Sequence, residues 1–172
     1  MWTAPASPGA SPDAMLRWGG LIALVVVALD QASKVWAEQA LAYGRPVEVF
    51  GWFNLTLVYN RGAAFSFLSQ AGGWQRGFFI LVGLIAVAIL ISWLRKLQPQ
   101  ERWQGLGLAL ILGGAVGNLI DRARHGYVVD FIDWHYAGWH WPTFNLADSA
   151  ITAGVVLLLL TLIRGSMSGE KA

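Results

Sequence analysis

Two aspartates, Asp130 and Asp148, are the residues of this chain best suited to chemistry. Asp130 sits in the apolar frame VVDFI, and Asp148 closes the motif FNLAD at the start of a long apolar run. Carboxylates set at hydrocarbon depth are costly and require a reason. The loop between them is long enough for the chain to bring them together. Two carboxylates within about 3 Å cannot both ionise, so one pKa rises and the pair shares a proton. Such a pair supplies a base that activates water and an acid that protonates a scissile carbonyl oxygen. The same residues also fit two unrelated interfacial acids, or stations on a proton or cation pathway.

Other polar groups stand near apolar runs. Asp30 and Lys34 are four apart and share a helix face; they form a self-neutralising ion pair or bind substrate directly. Asn60, Arg61 and Gly62 read as a turn. Asn118, Asp121 and Arg122 close a run that is otherwise apolar or glycine, and three polar residues in one turn exceed what a helix end needs. They terminate the helix or support a nearby site. Asp133 reads as an interfacial acid. The three histidines, His125, His135 and His140, could join the acids around a metal. His135 and His140 lack helical ligand spacing and lie among Trp134, Trp139 and Trp141, and no HExxH motif appears, so no metal and no cofactor is expected. The chain has no cysteine, which removes thiolate chemistry and disulfides.

These residues are set in a hydrophobic frame. Of the 172 residues, 56% are hydrophobic and only 13% charged, against roughly a quarter charged in soluble domains. The mean hydropathy is +0.50. The net charge of +2 is too small and dispersed for nucleic-acid binding. Four runs, about 18–38, 77–94, 103–120 and 144–163, suit membrane helices, since about 20 residues cross a hydrocarbon core of roughly 30 Å. Trp18, Trp36, Trp74, Trp93, Trp103 and Trp141 lie near their ends, as in an interfacial belt. Gly113, Gly114 and Gly117 would let a neighbouring helix approach closely. Asn145 is placed to cap the fourth helix, with Asp148 in its first turn.

Between the first two runs, residues 44–70 alternate with period two: Val47, Val49, Phe53, Leu55, Leu57 and Tyr59 against Glu48, Asn54, Thr56 and Asn60. This predicts surface strands, with Gly51 marking a bend or bulge. The expected fold is a mainly α membrane protein, a four-transmembrane-helix bundle with a small β-sheet on the outer membrane surface. Residues 1–16 are expected to be a disordered tail, 17–166 one integral-membrane domain and 167–172 a polar tail. The stretch Phe131–Trp141 is expected to be an aromatic loop able to close over the site as a lid. Four spans put both termini on one side. The Lys and Arg count is even until Lys34, Arg61 and Arg122, which lie in candidate motifs, are discounted; the termini then fall in the cytoplasm.

Five motifs together resemble the lipoprotein signal peptidases of bacteria (signal peptidase II): DQASK at 30–34, NRGAAFSF at 60–67, GNLIDR at 117–122, VVDFI at 128–132 and FNLADSAI at 144–151. They run in that family's order and cover most of the chain between the first and fourth spans. The resemblance implies a membrane-embedded aspartic endopeptidase with Asp130 and Asp148 as its dyad. It makes Asp30, Lys34, Asn60, Asn118, Asp121, Arg122 and Asn145 residues that bind substrate or support the site. It implies substrates that are diacylglyceryl-modified prolipoproteins, cut just before the lipidated cysteine, and a monomer in contact with membrane lipid. It places the enzyme in the bacterial inner membrane, with the active site near the outer face. The alternative is a small proton- or cation-coupled carrier using the same acids, although no second half repeats the first.

Overall fold

The computed structural model describes residues 12–62 and 74–169. Its elements in order are helix α1 (Pro12–Ala40), strands β1 (Val47–Phe50) and β2 (Phe53–Asn60), helices α2 (Gln75–Leu94) and α3 (Arg102–Arg124), strands β3 (Val128–Tyr136) and β4 (Trp139–His140), and helix α4 (Leu146–Gly169). Four helices are long and apolar enough to cross a membrane. Their burial is uneven: half of the most apolar window of α3 is buried, against 6% of that of α2. Leu21, Leu24 and Leu29 of α1, Leu81 and Ile89 of α2, and Leu159 and Ile163 of α4 are exposed. An apolar surface of that extent belongs against lipid, not water.

Helix α3 is the central member, packed against α1, α2 and α4. Lipid tails are as apolar as the helices, so close backbone approach holds such a bundle together. A side chain at Gly113 would strike Val26 and the Ala23 carbonyl of α1, and one at Gly114 would strike the Ala147 carbonyl and Ile151 of α4. Gly107 of α3 and Gly154 of α4 face each other in the same way. The glycine reading thus holds, with the glycines serving two different neighbours.

Helices extend into both stretches read as tails. Helix α1 begins at Pro12, inside the stretch read as a tail, because Met15 is buried with Leu94, Leu97 and Leu108 at that end of the bundle. A proline fits the first position of a helix, where its missing N–H is not needed. Helix α4 likewise runs on to Gly169. The AAFSF part of the NRGAAFSF motif, residues 63–67, and the end of the 44–70 strand region lie outside the described residues.

The sheet has four antiparallel strands in the order β1-β2-β3-β4. Strands β1 and β2 lie where period two put them, but β3 and β4 occupy the stretch read as an aromatic lid loop. That stretch is a hairpin whose two central turn residues, Ala137 (φ 49°) and Gly138 (φ 82°), have the left-handed backbone of a two-residue turn. Its run of valine, isoleucine and aromatic residues suits a strand, and partner β2 supplies the ladder. Ala37 of α1, Leu57, Val129 and Phe131 form the small core beneath the sheet. After β4 the chain returns beside β3, where the Phe144 carbonyl accepts from Phe131 and Ile132 and the Phe144 N–H donates to Ile132. This return delivers Asn145 and the start of α4 next to Asp130.

Candidate active site

Asp130 is in the middle of β3 and Asp148 in the first turn of α4. Both line one cavity of about 1160 Å³, together with Arg122, Tyr59, Phe144 and Ile151. Asn145 joins the two carboxylates. It caps α4 reciprocally: its Oδ1 accepts from the Asp148 N–H at 2.9 Å, and Asp148 Oδ2 accepts from the Asn145 N–H at 3.3 Å. Its Nδ2 is then left to donate to Asp130 Oδ1 at 2.7 Å.

The other two asparagines are oriented by the same means. Asn60 Oδ1 accepts from the Gly62 N–H at 3.1 Å, which is the turn read in the sequence, and its Nδ2 donates to Asp130 Oδ2 at 3.1 Å. Asn118 Oδ1 accepts from Lys34 Nζ at 3.0 Å, and its Nδ2 donates to Asp148 Oδ1 at 2.7 Å. Each carboxylate is therefore gripped by neutral donors, and among the described residues no Lys or Arg forms an ion pair with either one. Neutral donors fix position without cancelling the charge that proton transfer uses.

A charged layer lies behind. Lys34 Nζ bridges Asp30 Oδ2 at 2.9 Å and Asp121 Oδ2 at 2.8 Å, with all three side chains buried. Asp30 accepts from the N–H of Ala147 at 2.9 Å, and Asp121 from the N–H of Val129 at 3.1 Å. Ala147 and Val129 are the residues immediately before Asp148 and Asp130. One lysine thus ties together two acids, each of which anchors the backbone beside one member of the pair. Gln31, which sequence reasoning passed over, donates to Asp121 Oδ1 at 2.8 Å and approaches Asp30 Oδ2 at 3.2 Å. Its place within DQASK was the available signal. A side chain on Gly117 would meet Asp30 Oδ2, so this glycine makes room for the acid.

Arg122 stands at the cavity wall with its guanidinium 5.2 Å from the centre of the Phe79 ring and its charge facing Asp148, Asp130 and Asp121. Arg76 donates to the carbonyls of Arg122 and Ala123 at 3.0 and 2.8 Å, closing the C-terminus of α3, where a cation suits the helix dipole.

Burial pushes the Asp130 carboxyl up, and the charge of Asp148 pushes it further; hydrogen bonds from Asn60 and Asn145 and the charge of Lys34 oppose this, leaving it at about 7. A carboxyl at that value can hold a proton at neutral pH while a neighbouring carboxylate accepts one. The arrangement is thus suited to acid–base activation of water.

Asp133, read as an interfacial acid, has partners that its sequence neighbours do not show. It is 4% exposed and accepts from Thr56, Asn54 and His140. Among the described residues no three His, Cys, Asp or Glu side chains converge where a metal ion could sit. His125 stacks on Tyr127, and His135 on His140. Away from the acids the bundle closes on Met15, Leu94, Leu97 and Leu108, so the polar path a carrier needs does not continue through that end of the described structure.

A family model described as signal peptidase (SPase) II matches residues 22–164. The lipoprotein signal peptidase of Paraburkholderia phytofirmans is 51% identical over 162 residues, covering 94% of this chain and 92% of that protein. That of Burkholderia thailandensis is 51% identical over 154 residues, covering 90% and 92%. A bacterial membrane enzyme solved by the in meso method at 2.3 Å superposes with a TM-score of 0.77 at 34% identity, over 86% of this chain and 88% of that one. A second, at 1.9 Å, gives 0.73 at 35% identity, over 84% and 91%.

Proposed function

The chain belongs to the signal peptidase II family, and on that premise we propose that Asp130 and Asp148 are the catalytic pair of an aspartic endopeptidase. It is a multi-pass membrane peptidase that removes signal peptides from prolipoproteins. The observation that carries the assignment of the pair is the shared cavity in which each carboxylate is held by asparagine donors rather than neutralised. In the resting pair one carboxyl holds a proton and the other is ionised. The ionised partner removes a proton from water, and the resulting hydroxyl attacks the scissile carbonyl carbon. The protonated partner gives its proton to the carbonyl oxygen, and collapse of the tetrahedral adduct delivers a proton to the departing amine.

The substrate is a precursor whose cysteine carries diacylglyceryl, cut just before that cysteine. The mixed lining of the cavity supports this, since carboxylates stand beside Phe144 and Ile151 and so a lipid-bearing segment and water can both be accommodated. The enzyme acts as a monomer in the cytoplasmic membrane, with both termini in the cytoplasm and the sheet and cavity near the outer face. Discounting the charges used in the site, the remaining Lys and Arg favour this orientation. Asp30, Lys34, Asn118, Asp121 and Asn145 support the pair, Asn60 orients Asp130, and Arg122 faces the substrate.

The test is cleavage of one lipidated precursor by wild type, Asp130→Asn and Asp148→Asn in detergent, with a chelator control. Both variants are expected to remain folded and to leave the precursor uncut, and chelation to change nothing. Normal cleavage by either variant overturns the assignment.

A further inference from the structure

Among the described residues, the buried acid that the catalytic scheme leaves unused is Asp133, on the face of β3 opposite Asp130. Its role follows from the register of β2 against β3. Directly opposed residues of an antiparallel pair share a face, and alternate residues of a strand share a face. Leu55 opposes Ile132, Val58 opposes Asp130 and Asn60 opposes Val128, with an irregularity between Leu55 and Val58. Ile132, Asp130 and Val128 lie on one face of β3, so Leu55 and Asn60 both point to it. In an uninterrupted strand, residues five apart would point to opposite faces. The extra residue in β2 is therefore what turns Asn60 toward Asp130, and without it the asparagine would face away.

The two residues within this bulge are both pinned. Leu57 is 2% exposed against Val129 and Phe131, and its carbonyl accepts from the Gly44 N–H at 2.9 Å. Thr56 donates its hydroxyl to Asp133 Oδ2 at 2.9 Å; Asn54 Nδ2 approaches the same oxygen at 3.4 Å, and His140 Nδ1 lies 2.8 Å from Oδ1. We propose that Asp133 and Thr56 form a positioning latch that holds the β2 bulge and so aims Asn60 at Asp130. This rests on the proposed catalytic pair. Burial raises the Asp133 carboxyl, but the bonds from His140, Thr56 and Asn54 hold it below the usual carboxylate range. It is thus an ionised, acceptor-only anchor at neutral pH.

The latch has a signature that a purely structural role lacks. Asn60 favours the ionised form of Asp130, so misdirecting it raises the pH at which Asp130 loses its proton. The charged groups facing Asp130 are Asp148 from α4, Lys34 from α1 and Arg122 from α3, and none of them is altered in the test. The experiment is the pH profile of kcat/KM for precursor cleavage by purified enzyme. Thr56→Val keeps size and strand propensity while removing the hydroxyl. It is expected to lower kcat roughly tenfold with little change in KM and to move the alkaline limb up by about 1 pH unit. Asp133→Asn should do the same, and Thr56→Ser should restore both. Asn60→Ala should give the same shift, to which Thr56→Val adds nothing. An unmoved limb in Thr56→Val and Asp133→Asn, or an additive effect with Asn60→Ala, overturns the latch. Loss of folded protein in both variants with Thr56→Ser intact also overturns it, because the pair then holds up the sheet rather than aiming Asn60. Asp130→Asn is measured alongside. Normal cleavage by that variant overturns the catalytic pair, whereas an inert Asp130→Asn with an unmoved limb overturns only the latch.

Discussion

The surroundings of the two site carboxyls differ in kind from those of the acids behind them, and the difference sets the pH window. Asp30 and Asp121 share a buried lysine, whereas among the described residues Asp130 and Asp148 accept hydrogen bonds only from amides, and Lys34 and Arg122 act on them through charge without an ion-pair contact. With Asp130 near 7, raising the pH through neutrality strips the proton the pair must donate, and lowering it far enough protonates both carboxyls and removes the base. The pH dependence of kcat/KM should be bell-shaped, with its alkaline limb near 7. A profile still flat at pH 9 would separate Asp130 from the proton-transfer step. Lys34→Met makes the complementary point. It leaves Asp30 and Asp121 buried without their cation, which typically costs about 3–5 kcal/mol. Thermal denaturation in detergent should show a large fall in stability, accompanied by loss of cleavage.

At the scale of elements, the site depends on how closely α4 approaches α3. The first turn of α4 carries Asp148, its cap Asn145 binds Asp130, and its Ala147 lies against Gly114. Gly114→Ala would drive a methyl group into the Ala147 carbonyl, so α4 must move and take Asp148 with it. The expected cost is about 1–3 kcal/mol, read as a lower melting temperature, with reduced kcat. Gly20→Ala in α1 is the control: nothing lies within 4 Å of the added methyl, and removing a mid-helix glycine should leave stability unchanged or slightly raised. The sheet shows the same dependence on small backbone features, since one extra residue in β2 decides which face Asn60 presents.

For the whole molecule, the apolar exteriors of α1, α2 and α4 and the buried α3 describe a bundle turned outward toward lipid. The proposed orientation sends the tip of the β3–β4 hairpin and the α2–α3 connection to opposite sides. The natural chain has no cysteine, so single introduced cysteines report cleanly. Tyr136→Cys, at an exposed position, should react in intact cells with a membrane-impermeant maleimide, and Gln98→Cys only after the inner membrane is opened. The reverse pattern would invert the proposed topology while leaving the site chemistry untouched.

Much of this was legible in the sequence because hydrophobicity, helix capping and turn chemistry act over a few residues. The four apolar runs, the Asn145 cap and the Asn60–Gly62 turn all depend on near neighbours in the chain, and the glycines of α3 stand out as small residues within one apolar run. The resemblance of five ordered motifs pointed to the family and to the acids. Long-range pairing was not legible. Strand β3 has the composition of a strand, but the partner that makes it one, β2, lies on the far side of two helices. The period of β2 looked regular, and only its register against β3 reveals the bulge. The partners of Asp133 were not legible because its donors, Thr56, Asn54 and His140, come from two other strands. Residue types and local spacing supplied the acids and the helices by themselves. Which donors each acid meets, how far each is buried and hence which of them can exchange a proton near neutrality were decided only when packing brought distant segments together.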